Sequence, residues 1–419
     1  MFEAEQVRAE DGAGPTHAPA GRAGLPRSRH ARPSRLLGEV ASPRPRSCGW
    51  PTVVITGGLH GNEPAGVGAA RAVLEELERG GHLERGRVVA FAGNLPALER
   101  GVRYVDRDLN RMWTPADVRR VLAFGPSPAL AEDGELFELF DLLDGEIDGA
   151  EGPVLLLDLH STSAPGAPFC VVPDTLFIRG LMRTLPVPTI LGLEERIDGP
   201  LLSWFASRGH PALVVEGGQN EAPSTRVHLE AAVWLALAGV GMVARDLAPV
   251  RASYRRLRAA ARERPGVLEV LHAHRLRAGD GFEMLPGFVN FQRVRAGELV
   301  ARDSRGEIRA PWDGHILMPL YQGQGEDGFF LARELSRTWL FASGAMRARG
   351  LDGFLATLPG VRRHPARPAA VLVERDGMRP LTLAFLRMFG YRRRRRAGAL
   401  WMFERRVEGP ASFDLRDGR

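Results

Sequence analysis

Between about residues 35 and 244, short and almost unbroken apolar runs alternate with longer stretches in which apolar residues recur every three or four positions. The runs are "TVVIT" (52–56), "RVVAFAG" (87–93), "PVLLLDLH" (153–160), "FCVVP" (169–173) and "ALVVEGG" (212–218). A run without polar alternation is a strand covered on both faces, and the helical segments between the runs supply the cover. The pattern therefore predicts an α/β domain built on a parallel or mixed sheet. The clearest helix covers Pro64 to Arg79, where Val67, Ala70, Leu74 and Leu77 share one face, a proline stands in the first turn and Gly80 ends the segment. Beyond about Val250 the texture changes to short strands broken by Gly and Pro, such as "FVNFQRV", "LVARDS" and "EIRAPWDGHILMPLY", which predicts a small β-rich domain. A last section holds a strand "AAVLVERDG", a helix "PLTLAFLRMFGY" and a strand "ALWMFERR", a small α+β appendage. Residues 1–34, rich in Ala, Gly, Pro and Arg without apolar periodicity, predict a disordered basic tail. The expected divisions are thus 1–34, an α/β domain over 35–248, a β-rich domain over 249–338 and a basic α+β extension over 339–419.

Composition narrows the function classes. At 419 residues, with 44% hydrophobic and 25% charged, the chain can bury a sizeable core. No segment reaches the roughly 18 continuous apolar residues of a membrane span, and "AAVWLALAGVGMVA" (231–244) is too short. The opening "MFEAEQVRAEDGAG" carries acids where a signal peptide needs a basic region, so the expected location is cytoplasmic. Cys48 and Cys170 could form at most one bridge and lack the spacing of a thiolate metal site, in keeping with a reducing compartment. The net charge of +6 suggests nucleic acid, yet all 56 basic residues are arginine, which together with 49 glycines and 31 prolines indicates a coding bias more than a polyanion site. The missing lysine also excludes a Walker-type phosphate loop and any lysine nucleophile.

Candidate chemistry gathers where strands end, because loops of an open α/β sheet converge at the carboxyl edge. "VVITGGLHGNEPAG" places His60 and Glu63 after the first of the quoted runs, His160 closes "VLLLDLH", and Glu216 closes "ALVVEGG". Two imidazoles and a carboxylate are a ligand set for catalytic zinc with a position left for water, and a further carboxylate, Glu216, would be the general base. An HxxE pair alone is more readily a helix-capping glutamate beside a hydrogen-bonded histidine, and His160 after Asp158 could be a core histidine. Their joint arrival at strand ends favours the metal. "RYVDRDLNRMW" (103–113) is either a solvated charge run or, given its interleaved Tyr104, Val105, Leu109, Met112 and Trp113, a partly buried segment whose Arg103 and Arg111 suit an anionic substrate.

Taken together, "GGLHGNEPAG", "NLPALERGVRYVDRDLNRMW", "LDLHST" and "VVEGGQ", in this order, resemble the succinylglutamate desuccinylase/aspartoacylase family, related to zinc carboxypeptidases, over about residues 35–335; "MPLYQGQGEDGFFL" (318–331) is similar to segments of bacterial members. The resemblance implies a carboxypeptidase-like three-layer α/β/α domain with a mixed sheet, followed by a small β domain. It implies one zinc per chain on His60, Glu63 and His160, and Glu216 as catalytic glutamate. Arg103 then polarises the scissile carbonyl, Asn110 and Arg111 hold the substrate's α-carboxylate, and Asp158 and Asp108 support the histidines or the packing. The implied reaction is hydrolysis of a small N-acyl amino acid. The family's aspartoacylases carry, ten residues before the catalytic glutamate, an arginine that reads a side-chain carboxylate; here that position is Ala206, with Arg208 nearby, and "GQGEDGFF" lacks the tyrosine of a substrate gate. A peptide-cleaving carboxypeptidase and, through "YRRRRR" (391–396), a nucleic-acid or acidic-partner role remain as alternatives. No membrane partner is expected, and a homo-oligomer is left open.

Overall fold

A computed structural model describes residues 35–44 and 49–406. The tail expected over 1–34, Cys48 and the last part of the extension, 407–419, lie outside the described residues. Eight strands precede or enter the β-rich section: β1 (Leu36–Ala41), β2 (Thr52–Gly57), β3 (Arg87–Ala92), β4 (Val154–Thr162), β5 (Phe169–Val172), β6 (Thr189–Leu191), β7 (Ala212–Gln219) and β8 (Val267–Arg275). Six more follow: β9 (Glu283–Met284), β10 (Arg293–Val294), β11 (Leu299–Asp303), β12 (Gly306–Arg309), β13 (Gly314–Leu317) and β14 (Asp327–Glu334). They build a mixed sheet of eleven strands in the order β1-β3-β2-β4-β7-β5-β6-β8-β14-β13-β10, with β12-β11-β9 as a separate three-stranded sheet.

The sheet's centre, β3-β2-β4-β7, is parallel, and β5 joins β7 in the antiparallel sense. All five apolar runs are strands of this sheet. Their side chains divide between two cores: Val53, Ile55, Leu155, Leu157 and Leu159 face one, and Val54, Leu156 and Val214 face the other. This two-sided burial is why the runs show no polar alternation. Helices α1 (Ala65–Gly80), α2 (Leu95–Arg100), α3 (Pro115–Phe124), α4 (Ala131–Asp148), α5 (Leu176–Leu181), α6 (Leu201–Ser207), α7 (Pro223–Gly239) and α8 (Ala248–Ala260) connect the strands. The residues of α1, α5 and α7 fill the first core, and those of α3, α4 and α6 the second, giving the three layers. Among the described residues no helix is long and apolar enough to cross a membrane.

The sheet does not stop where the sequence texture changes. β8 pairs in parallel with β6, Thr189 opposite Val267, and β14, β13 and β10 continue the same sheet antiparallel. A third core under these strands centres on Val300, Ile316, Phe329 and Leu331.

The last section contains α9 (Arg337–Ala348), β15 (Val361–Arg363), β16 (Ala370–Val373), α10 (Pro380–Met388), β17 (Tyr391–Ala397) and β18 (Leu400–Arg405), with an antiparallel sheet in the order β15-β16-β18-β17. Its core comprises Val371, Val373, Leu386, Phe389, Tyr391 and Phe403. The arginine run is strand β17 and not a turn: Gly398, at φ +62°, closes a hairpin to β18. Arg394 stacks on Trp401 at 4.4 Å from the ring centroid, and Arg392 points inward. There Arg392 Nε meets Asp174 Oδ2 at 2.9 Å and its other end reaches Glu269. The same Asp174, 1% exposed, also receives Arg347 Nη1 at 3.0 Å and Arg179 Nε at 2.6 Å. Buried guanidiniums around one buried carboxylate thus dock the extension on the main body.

Candidate metal centre

The turn after β2 carries His60 and Glu63. Glu63 N–H donates to His60 O at 3.1 Å, which brings both side chains to one side ahead of α1. Gly61 makes the turn fit: a Cβ there would lie 2.0 Å from the Ala97 carbonyl carbon, so only glycine lets this loop sit against α2. His160 stands near the end of β4 and is the register partner of Glu216 on β7. All four are buried, between 3% and 5% exposed.

The two imidazoles are held in the same way. His60 Nδ1 lies 2.9 Å from Glu63 Oε1 and its Nε2 lies 3.1 Å from Asp108 Oδ1. His160 Nδ1 lies 3.0 Å from Glu63 Oε2 and its Nε2 lies 2.9 Å from Asp158 Oδ2. Each Nε2 is therefore committed to a carboxylate, and each Nδ1 faces Glu63. Asp158 is itself fixed by the Thr56 hydroxyl at 2.7 Å. Asp108 also accepts from Arg103 Nη2 at 3.0 Å and from the main-chain N–H of Asn110 at 2.9 Å.

The electrostatics follow from burial among charges. Burial opposes the charge on Glu63, but the two imidazoles outweigh it and hold the carboxyl below its ordinary range. Burial likewise opposes the charge on His160, while Asp158 and Glu63 raise it well above the usual histidine value. Glu216 lacks such compensation: burial pushes it up to about 8, His160 draws it down, and Glu63 and Asp158 push it up further. Its Oε2 is buried without a hydrogen-bond partner.

The donor set fits a divalent metal such as zinc. The three ligand atoms of His60, Glu63 and His160 lie within 4.8 Å of one another. Neighbouring ligands about 2 Å from a shared ion stand roughly 3 Å apart, as these Nδ1 and Oε atoms do. Carboxylates on both Nε2 atoms leave the Nδ1 lone pairs for an ion, the usual outer arrangement around metal-bound histidine. The negative charge collected from Glu63, Asp108 and Asp158 exceeds the positive charge of the nearby Arg103, which favours a dication.

Arg103, Asn110, Arg111 and Glu216 line the same cavity as the three candidate ligands, so the seven residues singled out from the sequence meet in one place. Arg103 Nη1 is 3.6 Å from Glu63 Oε1. Asn110 Oδ1 accepts from Leu201 N at 2.9 Å. Arg111 Nη2 donates to Asp327 Oδ2 at 3.0 Å, while its Nε is buried without a hydrogen bond, 3.8 Å from Glu326 Oε2. Asp327 and Glu326 in the "GQGEDGFF" segment, and Glu194 after β6, also line the cavity and were not expected from sequence. Ala206 does not line it, and Arg208 is drawn away onto Asp144 Oδ1 at 2.7 Å. Tyr321, just before "GQGEDGFF", donates its hydroxyl to Leu285 O at 2.9 Å and stands outside the cavity lining.

Residues 50–175 match the model of the succinylglutamate desuccinylase/aspartoacylase catalytic domain. The chain is 31% identical to succinylglutamate desuccinylase of Chromobacterium violaceum over 113 residues, 27% of this chain and 32% of that protein. It is 31% identical to aspartoacylase of Danio rerio over 115 residues, 27% of this chain and 34% of that protein. The chain thus spans about a third of the length of these relatives. In three dimensions it resembles succinylglutamate desuccinylase from Vibrio cholerae at a TM-score of 0.52 and 18% identity, covering 68% of this chain and 81% of that one. The enzyme of that name from Vibrio parahaemolyticus matches at 0.50 and 17%, covering 71% and 86%. The solved structures speak for the fold alone. His60, Glu63, Arg103, Asn110, Arg111 and His160 fall within the matched segment and Glu216 beyond it, and over that segment the chain is similar to the succinylglutamate desuccinylase/aspartoacylase catalytic domain.

Proposed function

We propose that the chain is a zinc-dependent amidohydrolase that deacylates a small N-acyl amino acid. The observation that carries this reading is the pair of carboxylate-anchored histidines converging on Glu63 beside Glu216, a buried carboxyl with a free oxygen. His60, Glu63 and His160 would hold the ion, which when bound lowers the pKa of water and polarises a carbonyl.

The remaining chemistry belongs to the side chains. Glu216, in its carboxylate form, takes a proton from the attacking water and, then protonated, returns it to the leaving amine. Arg103, fixed by Asp108, donates to the acyl oxygen as negative charge develops there, a contribution of about 3–4 kcal/mol for a preorganised donor. Arg111 offers its Nε, which makes no hydrogen bond, to the substrate's α-carboxylate. Asn110, its carbonyl oxygen engaged by Leu201 N–H, presents the amide NH₂ as a donor to the same carboxylate. Together they set the acyl carbon in line for attack.

The test is hydrolysis of a panel of N-acetyl and N-succinyl amino acids by purified protein, with metal content determined on the same sample. Release of a free amino acid with about one zinc per chain is the expected result. Bound zinc without cleavage of any member would sink the deacylase assignment.

A further inference from the structure

The cavity before the metal centre is also walled by the loop after β6, which contributes Leu193, Glu194 and Ile197. Glu194 is 3% exposed, and both its carboxylate oxygens are buried without a hydrogen-bond partner. Its titratable neighbour, Glu195, is a second acid, and burial together with Glu195 pushes Glu194 well above the ordinary carboxylate range; Arg406 and Arg392 offset this only in part. Leaving a buried acceptor unmet is costly, and a group arriving from the cavity side can meet it.

The cations of the cavity are already engaged by carboxylates. Arg103 is committed to Asp108 and Arg111 to Asp327. Ala206 and Arg208 are not part of the lining, and Glu326 and Asp327 add acid. A substrate carrying a second carboxylate would bring it among these acids without a further cation, an arrangement that rejects it. A cation would give Glu194 its missing partner. Leu193, Ile197, Leu202 and Val214 provide apolar wall against which a methylene stem can lie.

We propose that Glu194 is the specificity-determining residue of this cavity and selects an N-acyl amino acid whose side chain is an aliphatic stem ending in an ammonium or guanidinium group. The inference rests on the deacylase reading for the reaction, and on the cavity alone for the preference. Two measurements on the zinc-loaded full chain keep the two apart. The first is kcat/KM for Nα-acetyl-L-lysine, Nα-acetyl-L-methionine and Nα-acetyl-L-glutamate, in the wild type and in Glu194→Gln. The second is calorimetric binding of the free amino acids L-lysine, L-methionine and L-glutamate.

The lysine derivative should be preferred, and Glu194→Gln should lower the lysine-to-methionine ratio of kcat/KM by about tenfold or more, chiefly through KM. Wild-type preference for the methionine or glutamate derivative overturns the proposal and leaves the hydrolase standing, as does an unchanged ratio in a folded Glu194→Gln protein. Should that variant not fold, the wild-type preference decides. Absence of turnover on all three defeats the deacylase reading, and the binding order then decides for Glu194: tightest binding of L-lysine supports it, and any other order, or no binding, overturns it.

Discussion

At the scale of single residues, two carboxyl groups lining one cavity differ in charge state because their surroundings differ. Glu63 sits between two imidazoles and stays ionised, while Glu216 is buried with one oxygen free and is pushed up to about 8. Glu216→Gln is expected to retain zinc and to lose about 10²–10⁴-fold in kcat, the range for a general acid–base group; undiminished turnover in a zinc-replete variant would remove Glu216 from the role. Asp158 touches no cavity atom and works through His160 Nε2, so Asp158→Asn should weaken zinc binding by about 10–100-fold. Competition against a chromogenic chelator measures it, and unchanged affinity would show that Asp158 serves packing only. The candidate metal-centre residues are legible in the sequence because His160 and Glu216 end long apolar runs and His60 and Glu63 follow one, and such ends converge. Glu194 is not legible. It follows β6, three residues long, within "GLEERIDG", which reads as a solvated charge cluster; only the tertiary packing shows that its carboxyl is enclosed.

At the scale of elements, the apolar runs and the α1 periodicity report the sheet directly, since burial on both faces leaves few positions for polar residues. Element identity is less legible where charge dominates. "YRRRRR" has the composition of a solvated loop, yet Arg394 and Arg396 of β17 lie over Trp401, and Arg392, at a register shift of the strand, reaches the buried Asp174 cluster. Asp174→Asn removes the carboxylate at the meeting point of Arg179, Arg347 and Arg392, and should destabilise the protein by about 3–5 kcal/mol at neutral pH. Burial opposes the charge on Asp174, but Arg392, Arg179 and Arg347 outweigh it and hold the carboxyl far below its ordinary value of 3.8. A depressed carboxyl contributes its stabilisation above the unfolded-state value and loses it as pH falls from there towards the folded-state one. The gap in melting temperature between wild type and Asp174→Asn should therefore be full at pH 7 and shrink only below about pH 4, by calorimetry or circular dichroism. A gap that already closes between pH 7 and pH 5 would show that the cluster is not what this carboxylate stabilises.

At the scale of the whole molecule, the site joins distant parts of one continuous sheet. His60 and Glu63 follow β2, His160 lies on β4, Glu216 on β7, and Asp327 begins β14, which reaches the central strands through β8 and β6. An ion on His60, Glu63 and His160 binds only the folded chain, because nothing but the sheet brings residues 60 and 160 together. Its binding free energy is therefore folding free energy. A free zinc concentration about a thousandfold above Kd adds roughly 4 kcal/mol, which in a chain of this size moves the melting temperature by roughly 5 °C. Removing metal with a chelator should lower the main unfolding transition by that order, and graded zinc should restore it along a binding curve. Magnesium should restore little, because it seeks an octahedral oxygen shell and these donors are mainly imidazole nitrogens. A main transition indifferent to chelation and to added zinc would mean that the His60, Glu63 and His160 cluster holds no resident ion, and Glu63 would then be a buried counter-ion to two histidines.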